Sequence, residues 1–303
     1  MFNNTINFMR WRKAFYVFAV VLCLASAASL VVKGLNFSLD FTGGAQVELS
    51  YSEPVELDEL RQTLQGAGWG DAIVQNFGSA SDVIIRLSSE DPDLGGQVAQ
   101  LMQVAYAGQE VTVKRVEFIG PQVGDELRDQ GGIGLLLALG GILLYVALRF
   151  QLKFSSGAVV ALLHDTLVTL GILSFFGMSF DLTVLAALLA GIGYSLNDTI
   201  VVFDRVRENM RLMRNSDLEH VINVSTTQTL ARTLATSGST MLVLLSLLLV
   251  GGESLKGFAI TLIVGVVVGT YSSIYVANGL LMTQNLTRED LIPKQLEEID
   301  DRP

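Results

Sequence analysis

Apolar residues gather into six blocks along this chain: Ala14–Lys33, Gly131–Phe150, Ser156–Phe176, Leu182–Phe203, Thr233–Val250 and Gly257–Met282. Each is about 20 residues, the length an α-helix needs to cross a hydrocarbon core of about 30 Å. The links between the second and third, third and fourth, and fifth and sixth blocks are short, which forces antiparallel neighbours and predicts a six-helix bundle. Residues 1–13 and 283–303 form polar tails, and a longer polar segment, 204–232, part of it suited to an amphipathic helix, separates the fourth and fifth blocks. The first block has a rival reading. Ala25-Ser26-Ala27 resembles a signal-peptide cleavage site, but apolar residues run on to Val32, longer than such a segment, and this favours an uncleaved anchor.

Residues 34–130 follow a different pattern. Val47–Tyr51 alternates like a strand, and Val55–Ala67 has helical spacing with Pro54 near its start. Ala72–Phe77 and Val83–Leu87 read as short strands parted by Gly78-Ser79-Ala80-Ser81, Asp93–Ala107 as a helix, and Glu110–Phe118 as a strand. The order βαββαβ predicts a small α+β, ferredoxin-like sandwich. The fold class is thus a polytopic α-helical membrane protein with one such domain.

Composition agrees. Half of the 303 residues are hydrophobic and mean hydropathy is +0.47, more apolar surface than a soluble fold can hide. Charge then gives orientation. Twelve of the twenty Lys and Arg lie in residues 1–13, 150–155, 204–232 and 283–303, whereas Gly177–Asp181 and Gly251–Lys256 hold only Lys256. The positive-inside rule puts both termini in the cytoplasm and residues 34–130 in the periplasm of an inner membrane. That domain carries sixteen acids and five bases, a net −11, which argues against nucleic-acid binding. A single cysteine, Cys23, excludes an internal disulfide, and His164 and His220 have no metal-ligand spacing around them. No GK[ST] phosphate loop, GxSxG elbow or HExxH pair is present, so the reading is of no enzyme, no catalytic residue, no metal and no cofactor.

Charges at membrane depth cost about 2.5–3.5 kcal/mol each on insertion scales and call for an explanation. Asp198 lies in the fourth block and Arg232 where the fifth begins, at similar depth, with Thr236, Ser237, Ser239 and Thr240 extending a polar stripe. A neighbouring cation favours the charged form of a carboxylate and loss of water favours the neutral form. Where the two offset, protonation falls within reach of a transmembrane pH difference. Proton chemistry at Asp198 and Arg232 stands level with a structural ion pair glued by the Ser and Thr hydroxyls. Asp165 and His164, midway along the third block, form a possible relay, with hydrogen bonding inside the bundle as the simpler reading. Asp204 and Arg205 read as interface anchors. Gly265 and Gly269 have the GxxxG spacing that lets backbones approach.

Several segments resemble the SecF family of protein-export subunits, within the RND superfamily. They are Asp40-Phe41-Thr42-Gly43-Gly44, Gly120-Pro121-Gln122-Val123-Gly124, the run Gly193–Asn209 with its Asp198, Thr229–Thr233 with Thr236-Ser237-Gly238, and Gly269–Ala277. The resemblance covers nearly the whole chain in order. It implies a partner of SecD that assists the SecYEG channel, with YajC and YidC as further partners and exported polypeptides as clients. It implies protons as the coupling ion, Asp198 and Arg232 as proton-pathway residues, and Asp40, Gly43 and Gly44 as a motif or hinge between the first span and the soluble domain. Two rival functions remain, a small-molecule exporter half of the RND type and a translocon scaffold that moves no ions. A neighbouring SecD-like chain separates the exporter from the export subunit. Comparing assembly with export rate in charge-removing variants separates the scaffold.

Overall fold

A computed structural model describes residues 5–213, 215–287 and 289–291. A 3₁₀ turn, Phe8–Trp11, leads into α1 (Arg12–Lys33). A short bridge follows, β1 (Asn36–Phe37) and the single turn α2 (Leu39–Thr42). The soluble domain then comprises β2 (Gly44–Tyr51), α3 (Leu57–Gly66), β3 (Ile73–Phe77), β4 (Ser79–Leu87), α4 (Leu94–Ala105) and β5 (Val111–Ile119). The bundle is completed by α5 (Pro121–Arg149), α6 (Leu152–Phe175), β6 (Ser179–Phe180), α7 (Leu182–Leu212), α8 (Leu218–Val250), α9 (Glu253–Ser272), a π turn over Ser273–Ala277 and α10 (Asn278–Thr283).

The soluble domain has the expected βαββαβ order, and its antiparallel sheet runs β3-β4-β2-β5, the strand order of a ferredoxin-like sandwich. Period-two alternation sorts its two faces. Ala45, Val47, Leu49 and Tyr51 of β2 meet Val83, Ile85 and Leu87 of β4 in a core closed by Leu60 and Leu64 of α3 and Val98 and Met102 of α4. Gln46, Glu48 and Arg86 point the other way, towards the bundle, and line a polar cavity of 540 Å³ at the domain's base. The β3–β4 hairpin is tighter than the expected Gly78–Ser81 loop: β4 starts at Ser79, because Gly78 alone turns the chain at φ +82°.

Among the described residues six helices have the length and composition to cross a membrane. Just over half of each apolar window is buried in α6 and α7 and half in the α9–α10 span, against about a tenth or less in the other three. α6, α7 and α9 therefore form the centre of the bundle, and α1, α5 and α8 its periphery.

The helix ends depart from the expected blocks. α5 begins at Pro121, ten residues before Gly131, so the soluble domain ends near Gly120. Proline suits a first helical turn, where its missing N–H has no partner to lose, and Asp125–Arg128 supports the next turn at 3.0 Å. The 204–232 segment is not a separate polar unit. α7 runs on past Phe203 to Leu212 and α8 starts at Leu218, leaving a short link over 213–217. These polar turns stay helical through the Arg205–Glu208 pair at 2.9 Å and through Asn209, whose amide donates to Ser225 at 2.8 Å and Gln228 at 2.9 Å.

Candidate functional site

α7 and α9 cross where their side chains are smallest. Gly191 and Gly265 face one another, with an added Cβ on Gly265 only 3.3 Å from the Gly191 Cα, and Gly269 faces Ser195 one turn on. The GxxxG spacing thus sets a close crossing. The crossing presents Ser195 of α7 and Ser272 of α9 to Asp165 of α6.

Asp165 is 4% exposed. Its Oδ2 accepts from the Ser195 hydroxyl at 2.5 Å and the Ser272 hydroxyl at 2.7 Å, and its Oδ1 lies 2.9 Å from His164 Nδ1. One carboxylate therefore ties three helices together at mid-depth. Among the described residues His164 Nε2 is buried without a hydrogen-bond partner, with the Tyr271 ring 5.9 Å away. A cavity of 10 Å³ adjoins Asp165 on the soluble-domain side, with Thr166, Thr169 and Thr261 in its walls. That is about the room one water needs.

The hydroxyl network continues towards the other end of the bundle. Thr199 bonds Ser273 at 2.8 Å, and the Ser273 hydroxyl also donates to the Ser195 carbonyl at 3.4 Å. The π turn that begins at Ser273 shifts the helix register and frees backbone carbonyls. The Asn278 amide recovers two of them, donating to Ser273 O at 3.1 Å and Ile274 O at 3.3 Å.

Asp198, between Ser195 and Thr199 on the same helix, is 3% exposed, and among the described residues its buried Oδ2 has no hydrogen-bond partner. Arg232 is exposed on α8. Among the described residues no ion pair within 4 Å joins the two, although Arg232 acts on Asp198 through its field. The direct contact expected of a structural ion pair is thus not made within the chain taken alone, where Arg232 is exposed. Thr236 and Ser239 bond backbone carbonyls of their own helix, while Ser237 bridges to Tyr194 at 3.2 Å and Thr270 at 3.0 Å. Sequence reading overlooked Ser195, Ser272, Ser273, Thr199 and Asn278 as one constellation. The available signal was an excess of hydroxyls in two otherwise apolar blocks.

Asp40 sits at the junction of domain and bundle. Its Oδ2 accepts from the Leu182 N–H at 3.0 Å, so it caps the N-terminus of α7 beside the intrinsic cap Asp181, which takes Val184 N–H at 2.7 Å. β1 pairs in parallel with β6, joining the chain after α1 to the α6–α7 link. Arg86 clamps this bridge from the sheet, donating to Gln46 at 2.9 Å, Asn36 at 3.2 Å and Ser179 at 2.6 Å. Gly43 and Gly44 have positive φ and no room for a side chain: an added Cβ would lie 2.8 Å from Pro121 Cα and 2.1 Å from Leu87 O respectively. The motif is thus a tightly packed junction between β2, β4 and α5.

A multi-pass helical bundle with carboxylates buried at mid-depth, capped by one α+β domain, defines a membrane protein of the transporter and translocase class. The model of the family "Protein export membrane protein SecD/SecF, C-terminal" matches residues 99–286, and that of the "SecD/SecF GG Motif" matches residues 28–55. The Protein translocase subunit SecF of Pseudomonas aeruginosa is 57% identical over 301 residues, covering 99% of this chain and 98% of its own. The subunit of the same description from Escherichia coli O157:H7 is 44% identical, covering 97% and 93%. A crystal structure of SecDF, a translocon-associated membrane protein from Thermus thermophilus, superposes with a TM-score of 0.85 at 36% identity; the match covers 94% of this chain and 40% of that one. The chain belongs to the SecF family of protein translocase subunits, multi-pass proteins of the inner membrane.

Proposed function

We propose that this chain is an accessory subunit of Sec protein export, working beside a SecD-type chain and using proton movement through its bundle to promote translocation. SecYEG, with YajC and YidC, is the assembly it assists, and exported polypeptides are its clients. Protons are the coupling ion, and no cofactor takes part. Both termini lie in the cytoplasm and the α+β domain in the periplasm. The partial match to SecDF supports the partnership, since the larger share of that chain has no counterpart here. The outward Arg232 and the sparsely covered α5 and α8 suit a neighbour in the membrane.

The observation that carries the reading is the single carboxylate oxygen shared by α7 and α9, Oδ2 of Asp165. A hydroxyl bond to a charged group is worth about 1.5–3 kcal/mol and to a neutral one about 1. Neutralising Asp165 therefore weakens the two hydroxyl bonds by about 1–4 kcal/mol together. A proton crossing the field supplies about 2.3 kcal/mol per 100 mV. The energies match, so protonation has the strength to choose between two packings of the helices. Asp198, one turn along α7 from Ser195 and, among the described residues, without a bond at Oδ2, is the second station, and Asp40 and Arg86 pass motion from α7 to the domain.

The test measures proton-gradient stimulation of preprotein translocation, together with yield of the complex, for Asp165→Asn and Asp198→Asn. The proposal expects normal yield and lost stimulation. Stimulation equal to wild type in either variant contradicts it, and loss in proportion to yield favours the scaffold.

A further inference from the structure

At the end of the bundle that carries the N-terminus, basic groups outnumber acids at the meeting of α5 and α7. Arg149 closes α5, and Asp204, Arg205, Arg207, Glu208 and Arg211 occupy the last turns of α7. The two acids are already engaged. One nitrogen of Arg149 donates to both Asp204 oxygens at 2.7 and 2.6 Å, and Arg205 pairs with Glu208 at 2.9 Å. Arg207 and Arg211 are the surplus.

Arg207 is held in place without being satisfied. Its guanidinium lies 5.8 Å from the Phe150 ring centre, a ring that Arg149 also covers at 4.9 Å. Its closest acid oxygen, Asp204 Oδ1, is 3.7 Å away and already taken. Among the described residues it makes no hydrogen bond, and its Nε is buried without a partner. Arg149 and Arg211 repel it, and the attraction of Asp204, shared with Arg149, offsets only part of this. Five donors on a fixed plane, short of an acceptor and crowded by like charge, call for an anion from outside the chain.

The surroundings say which anion. Arg207 and Arg211 line an open groove of 360 Å³ with Asp204, Glu208 and Leu212. Leu212 is 71% exposed, and Leu148 and Leu152, flanking Arg149 and Phe150, are 80% and 88% exposed. Bare apolar side chains beside surplus guanidinium groups match a molecule with a phosphodiester head and an acyl tail. We propose that Arg207 and Arg211 form a binding site for an anionic phospholipid, the phosphate in the groove and an acyl chain along the exposed leucines. The proposal needs neither the proton pathway nor an assigned orientation.

The test is native mass spectrometry of the full chain in its purified membrane complex, with phosphatidylglycerol and phosphatidylcholine supplied in equal amounts. Each basic group at a membrane surface is worth about 1 kcal/mol, so the double variant Arg207→Gln/Arg211→Gln is expected to lose about thirty-fold of the preference for the anionic lipid. Removing the remote charges Arg10 and Lys13 is expected to leave it unchanged. If the double variant fails to fold, Arg211→Gln alone, on an exposed side chain, is expected to lose about five-fold by the same reckoning. Equal preference in wild type and the arginine variants overturns the proposal. So does thermal stabilisation by inorganic phosphate that matches that by phosphatidylglycerol, because the groove then holds a free anion rather than a lipid.

Discussion

Gly269→Ala isolates the crossing that brings Ser195 to Asp165. An added methyl would lie 2.7 Å from Ser195 Cβ, 3.0 Å from its Oγ and 3.1 Å from its Cα. Carbon atoms rest about 3.5–4.0 Å apart, so α7 and α9 must separate by up to about 1 Å. Overpacking of this kind costs about 1–3 kcal/mol. Where α7 is the helix that gives way, a shift of that size stretches the 2.5 Å Ser195–Asp165 bond well beyond the roughly 2.7–2.8 Å of an ordinary O–H···O bond. The same chemical change at Gly134 of α5 meets nothing within 4 Å, and there alanine gains up to about 1 kcal/mol of helix propensity. The two substitutions are therefore opposite in sign. Reversible unfolding in mixed detergent micelles reads the stability of each, and proton-stimulated export reads the function. Gly269→Ala as stable as Gly134→Ala, with wild-type export, refutes the crossing.

Three further outcomes follow from the same geometry. Ser272→Ala removes one hydroxyl from Asp165 and is expected to cost about 1.5–3 kcal/mol in the unfolding assay, the worth of a hydroxyl bond to a charged group, while export stimulation falls severalfold. Asp40→Ala removes one acceptor at the α7 N-terminus and should cost about 1 kcal/mol, since Asp181 keeps the other cap; hydrogen exchange at Leu182 should rise. Hydrogen bonds from Lys114 at 2.7 Å and from Ser50 at 2.6 Å hold the Asp82 carboxyl below its ordinary value. A lowered folded value means stabilisation present above the unfolded pKa of about 3.9 and lost as pH falls through the folded one. Acid unfolding of the soluble domain should thus be less steep in Asp82→Asn, and identical acid transitions count against that linkage.

Much of the architecture can be read from the order of residues. Apolar blocks give the spans, because hydrocarbon admits little else, and alternation in β2 and β4 gives the sheet and its buried face. The ends of α7 and α8 escape because their outer turns are polar, and Arg205, Glu208 and Asn209 hold helix by side-chain pairing that no hydropathy block reports. Asp198 stands out as a charge in an apolar run. The importance of Asp165 does not, since Ser195 and Ser272 come from distant parts of the chain and only the glycine crossing brings them together. The π turn at Ser273 is likewise silent, and only Asn278, a polar residue deep in the last span, hints at it. Asp40 reads as a motif, but its cap on α7 depends on the β1–β6 pairing that folds the chain back across the bundle.

Proton uptake and release by Asp165 of α6 and Asp198 of α7, coupled to repacking of the bundle, underlies the proposed function. Proton flux into vesicles holding the purified complex under an imposed pH gradient tests it most directly, with wild type set against Asp198→Asn. Wild type should carry protons and Asp198→Asn should not, at equal protein incorporation. Undiminished flux through Asp198→Asn would contradict it.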